Sequence, residues 1–158
     1  MINPIYFNPQ NYLSAESVGV LNLDDIQVIE VRVKGIEILI DPKEDLSRLR
    51  EIIECHERKN TPPIGIEYSI STISKWGALQ VKGATISNIT EKQIDAEILL
   101  KAPNVESYLM MPFDVNHSIG LALIENGEIF VGQNIYNTAK KQIQEYRKKN
   151  DENLSFYS

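Results

Sequence analysis

The stretch Val31-Arg32-Val33-Lys34-Gly35-Ile36-Glu37-Ile38-Leu39-Ile40-Asp41-Pro42-Lys43-Glu44 decides the fold class, because two kinds of secondary structure meet inside it. Val31 and Val33 alternate with Arg32 and Lys34, and Ile36, Ile38 and Ile40 alternate with Glu37 and Leu39, which is the period of a strand. The apolar phase slips by one residue at Lys34-Gly35. A two-residue hairpin turn explains the slip, since Gly accepts a positive φ; one long strand bulged at Gly35 is the alternative. Asp41-Pro42-Lys43-Glu44 then reads as a helix start, with a capping carboxylate, a proline at the first helical position and a Glu able to reach back. Leu46, Leu49, Ile52, Ile53 and His56 follow at helical spacing, which predicts a helix over 42–59. Glu44 with Arg48 and Glu54 with Arg58 are favourable i,i+4 pairs. Pro62-Pro63 forbids continuation.

Downstream, Ile64, Ile66, Tyr68 and Ile70 alternate with polar residues or Gly and predict a strand. Leu79 and Val81 begin another, broken or bulged at Gly83, and Ile94, Ala96, Ile98 and Leu100 make a third that ends at Ala102-Pro103-Asn104. Ile119–Ile124, Asn126-Gly127 and Ile129–Val131 read as a hairpin, because Asn-Gly suits a primed turn. Ile135, Ala139, Ile143 and Tyr146 form the stripe of a second helix over 135–149. Upstream, Asn and Pro in 1–12 suggest an irregular arm with structure starting near Asp25, and 151–158 reads as a polar tail. Strands joined by short turns predict an α+β fold. The expectation is a single domain over 1–158, with a mainly antiparallel sheet of about five to seven strands and two helices.

The length of 158 residues suits one domain, and 42% hydrophobic with 24% charged residues is ordinary for a globular chain. Sixteen Lys and Arg against 22 Asp and Glu give a net charge of −6, which argues against general nucleic-acid or anionic-membrane binding. One cysteine, Cys55, excludes an internal disulfide and fits a reducing compartment. No export signal or membrane span is legible, so the expected location is cytoplasmic.

Chemistry is sparsely marked. His56 ends the apolar stripe of the first helix and reads as a boundary histidine. Asp114 lies three residues before His117, a pair able to orient an imidazole for base catalysis, yet Ser118 is only a neighbour and no nucleophile is marked. Two His and one Cys fall short of a structural zinc set, and no phosphate loop is present, so no metal or cofactor is expected. Trp76 beside Gly77 reads either as a buried turn residue or as an interface anchor. Tyr108-Leu109-Met110-Met111-Pro112-Phe113 has no clean period and reads as a buried edge or as a soft apolar contact surface.

Charge is unevenly spread. Residues 91–128 hold Glu91, Asp95, Glu97, Glu106, Asp114, Glu125 and Glu128 against Lys92 and Lys101, whereas 134–158 carry a basic excess. Acids on alternate strand positions would share an exposed face, so Asp95, Glu97, Glu125 and Glu128, with Tyr108, Met110 and Phe113, are the candidate partner-binding residues. In size, acidity and want of a catalytic constellation the chain is similar in general character to bacterial immunity proteins. That likeness implies a non-enzymatic binding module, an immunity or inhibitor protein that neutralises a basic toxin or nuclease partner by steric and electrostatic blockade. The alternatives are a small hydrolase or transferase using Asp114–His117, and a structural subunit of a phage or larger assembly.

Overall fold

The computed structural model describes residues 5–156 and is α+β, with four helices and nine strands among them. The hairpin lies where the alternation puts it: β4 (Ile26–Val33) pairs antiparallel with β5 (Ile36–Ile40). Lys34 (φ 48°) and Gly35 (φ 77°) are the two left-handed residues of its turn. A strand that the sequence reading missed, β3 (Ser17–Leu23), pairs with the other side of β4 and completes a three-stranded antiparallel sheet. Its alternation breaks at Leu21, which hides it.

The second sheet has six strands in the order β1 (Ile5–Tyr6), β8 (Leu109–Pro112), β7 (Ile94–Lys101), β6 (Gln80–Ile89), β9 (Glu128–Gly132), β2 (Tyr12–Ser14). Every pairing is antiparallel except β6 with β9. The ladder of β6 slips between Val81 and Gly83, so the break expected at Gly83 is a bulge. Part of the arm expected over 1–12 is instead ordered: Ile5–Tyr6 and Tyr12–Ser14 supply the two edge strands. Between them Asn8 caps a single 3₁₀ turn at Pro9–Asn11 by accepting the Gln10 N–H. Six residue steps from Tyr6 to Tyr12 reach at most about 21 Å, whereas the edges of a flat six-stranded sheet lie about 24 Å apart. The sheet must therefore curl towards this N-terminal strap, making that face concave.

The helices depart further from the sequence reading. α1 (Ser47–Glu57) starts after the predicted 42. Asp41 instead accepts the Lys43 N–H in a turn, and Asp45 accepts both the N–H and the hydroxyl of Ser47, which hold its carboxyl below the usual range. The segment predicted as a strand over 64–70 is helix α2 (Ile66–Trp76). Period two was misleading there because the residues it buries, Glu67 and Ser71, are polar.

The expected hairpin at 119–131 is also a helix followed by a strand. α3 (Val115–Ile124) is buried on nearly every side, so it shows no helical stripe. Asn126-Gly127 ends it: Gly127 N–H bonds Ala122 O, Asn126 N–H bonds Leu123 O, and Asn126 has φ 55°. Asn-Gly answers the same demand for left-handed backbone at a helix end as in a hairpin. A helical crossover then delivers β9 parallel to β6. α4 (Gln133–Phe156) outruns the predicted 135–149 at both ends and takes up most of the expected tail. Residues 1–4 and 157–158 of the expected arm and tail lie outside the described residues.

α2, α3 and α4 pack on one face of the large sheet, and α1 packs on α3 and on β3 of the small sheet. Leu49 and Ile53 of α1, Ile119 of α3 and Ile135 of α4 join Ile86 and Val131 in one cluster that also takes Ile29, Val31 and Ile40 from the small sheet. Leu121 of α3 and Ile70 of α2 meet Val81, Ile98 and Leu100 in a second. Among the described residues, no helix is long and apolar enough to cross a membrane.

The end of α2 carries a testable strain. Gly77 is its C-cap, but the left-handed position falls one residue later, on Ala78 (φ 59°), where Leu79 N–H bonds Ser74 O and Ala78 N–H bonds Lys75 O. Relief of the Cβ clash should make Ala78→Gly more stable by about 0.5–1 kcal/mol, a rise in melting temperature of roughly 1–4 °C. Thermal unfolding followed by circular dichroism checks this; a lower melting temperature would contradict the capping geometry.

Candidate functional site

Three regions qualify, and the predicted acidic set belongs mainly to the first. Asp95 and Glu97 alternate with the core residues Ala96 and Ile98, so they project from the concave, helix-free face. Met110 lies opposite Leu99 in the ladder and shares that side, and the Tyr108 ring stacks on Phe7 at 6.4 Å. Glu128 stands at the rim, where it also lines a cleft with Glu16, Glu57 and His56. Glu125 and Phe113 belong elsewhere. Glu125 caps the end of α3, accepts the Ser71 hydroxyl and lies 4.0 Å from Lys75; Phe113 packs in the second core cluster, edge-on to His117. The seven residues are therefore not one surface, because the helix at 115–124 carries Glu125 and Phe113 to the opposite side of the sheet.

On the concave face, Glu97 is the focus of a hydroxyl network. Thr85 and Ser87 each donate to its Oε2 at 2.7 Å. With its own proton so used, Ser87 Oγ accepts from the Tyr12 hydroxyl, also at 2.7 Å. Ser87 reaches both partners because it bulges out of the ladder between Ile86 and Asn88. Gly132, opposite Tyr12, permits this approach: a Cβ there would sit 3.0 Å from Ser87 O. Burial pushes the Tyr12 phenol up and the Glu97 charge adds to it, against the lowering effect of the Ser87 bond. Tyr12 thus stays a protonated donor. The Phe7 ring lies 5.0 Å from Tyr12 and 4.9 Å from Phe130, closing the aromatic side. Tyr12, Thr85 and Ser87 escaped the sequence reading, since only the ladder register brings them to Glu97.

The second region is Asp114–His117. Asp114 caps α3 by accepting the His117 N–H at 2.9 Å, and its two oxygens hold His117 Nδ1 at 2.7 and 2.8 Å. Such a contact requires the proton on Nδ1 and leaves Nε2 available as a base. Ser118 does not face it, being turned about 100° away along the helix and buried. Among the described residues, no group of three His, Cys, Asp or Glu is placed to hold a metal ion.

The third region is the outside of α2. Its inner side carries two polar residues beside the core residue Ile70: Glu67, 1% exposed, meets Arg48 Nη2 of α1 at 3.2 Å, and Ser71 is buried. Its outer side is apolar, with Ile66 54%, Ile73 63% and Trp76 82% exposed, preceded by Ile64 at 90%. The sequence reading singled out only Trp76. The spacing of 66, 73 and 76 marks one helical face, but nothing local says that this face points to solvent. No protein-family model matches the chain, and no curated protein matches its sequence.

Proposed function

We propose that this chain is a non-enzymatic protein-binding module whose principal contact is the outer side of α2. The observation that carries the reading is the inverted helix, which buries Glu67 and Ser71 while Ile64, Ile66, Ile73 and Trp76 face water. Large exposed apolar side chains gathered on one helical face, as Ile66, Ile73 and Trp76 are, mark contact surfaces. Full burial of each Ile is worth about 1.5–3 kcal/mol, and an exposed Trp among them is the usual kind of anchor. The net charge of −6 favours a basic partner, with Asp95 and Glu128 steering encounter. An immunity or inhibitor role against a basic toxin or nuclease, by blockade of its working surface, is the specific form of the proposal.

Trp76 is the sole tryptophan, so its fluorescence reports on this surface directly. Immobilised wild type and the double variant Trp76→Ala with Ile73→Asp are compared for captured proteins. A partner held by wild type should bind the variant at least about 30-fold more weakly, the loss of one hot spot, and should shift Trp76 emission to the blue when purified. Identical capture by both proteins, each folded by circular dichroism, would remove α2 from the mechanism. A second reading, a small hydrolase or transferase, is favoured by the 2.7 Å contact between Asp114 and His117. His117→Gln separates the two, because it leaves capture unchanged on the binding reading.

A further inference from the structure

We infer that Glu97 on the concave sheet face is the anchoring point for an organic cation bearing N–H donors, a primary ammonium or a guanidinium. Both hydroxyl donors converge on Oε2, whereas Oε1 receives no hydrogen bond from the described residues. A carboxylate offers about four acceptor positions, so half of its capacity is left for a ligand. Among the described residues, no Lys, Arg or His lies within ion-pair reach of it. A half-buried carboxylate without a counter-charge is costly to keep, and a ligand cation supplies what the protein omits.

The surroundings select the class of cation. Thr85, Ser87 and Tyr12 lock the carboxylate in place, so that Oε1 is preset and little ordering is needed on binding. Aromatic rings of Phe7, Tyr12 and Phe130 stand beside the network, and a cation gains from their faces. One carboxylate among neutral hydroxyls is poor ligation for a divalent metal, which takes several oxygen ligands. It matches an ammonium, whose three donors can engage Oε1 and the remaining lone pairs of the Tyr12 hydroxyl. This site is independent of α2, so its failure would leave the docking proposal standing, and the reverse.

The test uses the full chain at low ionic strength, with amide NMR shifts followed at Thr85, Ser87 and Glu97. The probes are butylammonium, butylguanidinium, tetramethylammonium, 1-butanol and a capped Gly-Lys-Gly peptide. Saturable shifts are expected with the first two, weaker ones with tetramethylammonium, and none with butanol. Glu97→Gln, which keeps an oxygen acceptor for Thr85 and Ser87, should lose at least tenfold in affinity, while Asp95→Asn should lose little. Tighter binding of the peptide than of butylammonium would assign the cation to a lysine of a partner chain, and the reverse to a free amine. No saturable shift with any cation, or binding unchanged in Glu97→Gln, would overturn the inference.

Discussion

Arg48→Met should lower stability by about 3–5 kcal/mol, the range for breaking a buried ion pair from one side. The lower end is favoured because the Arg48 side chain is 26% exposed while Glu67 is 1% exposed. Methionine keeps most of the packing volume, so the loss isolates the charge. Glu67 would then be a buried carboxylate facing the α1–α3 side with no cation. The backbone is already fitted to this pair: a Cβ at Gly65, the N-cap of α2, would fall 2.6 Å from Arg48 Nη2. Combining Arg48→Met with Glu67→Met removes both charges and should recover most of the loss, since apolar replacements of buried pairs are often neutral. Urea titrations followed by circular dichroism measure both proteins. A single variant within 1 kcal/mol of wild type, or a double variant as unstable as the single, would show that the pair does not hold α2 in its inverted orientation.

Gly83→Ala should be comparably damaging, at about 3 kcal/mol or more, beyond the ordinary cost of overpacking. A Cβ at Gly83 would lie 2.2 Å from the carbonyl oxygen of Glu128, with two further backbone atoms of Glu128 at 3.2 Å. No side chain can swing aside, because the obstacle is the first rung of the parallel β6–β9 ladder. The same closeness appears just before β9, where a Cβ at Gly127 would meet Lys82 O at 2.5 Å. Separation of β9 from β6 would unseat Phe130 and open the aromatic side of the Glu97 network. Gly19→Ala is the matched control: nothing lies within 4 Å of its Cβ position, and its stability should stay close to wild type. Hydrogen exchange should show lost protection along β9 in Gly83→Ala alone. Equal stability of the two alanine variants would mean that the strands part more readily than their register implies.

Sequence alone determined the elements with one dry and one wet face. The hairpin at 31–40, the apolar stripe of α1 and the strand at 94–101 were legible because local alternation or helical spacing records which side meets water. The bulge at Gly83 was legible as a break in that alternation. Tertiary structure decided the rest. α3 shows no stripe because sheet and helices enclose it on nearly every side, so its composition reads equally as a buried strand. α2 shows a misleading stripe because Arg48, remote in sequence, satisfies Glu67 and allows Glu67 and Ser71 inward while Ile66 and Ile73 face outward. Asn126-Gly127 specifies left-handed backbone wherever it falls; only the burial of residues 115–122 makes it a helix end in place of a hairpin. The Glu97 network needs Tyr12 of β2 and Thr85 and Ser87 of β6 brought to Glu97 of β7 in one register. Side-chain pattern reports the average environment of a segment, and which distant segment supplies that environment is set only when the chain packs.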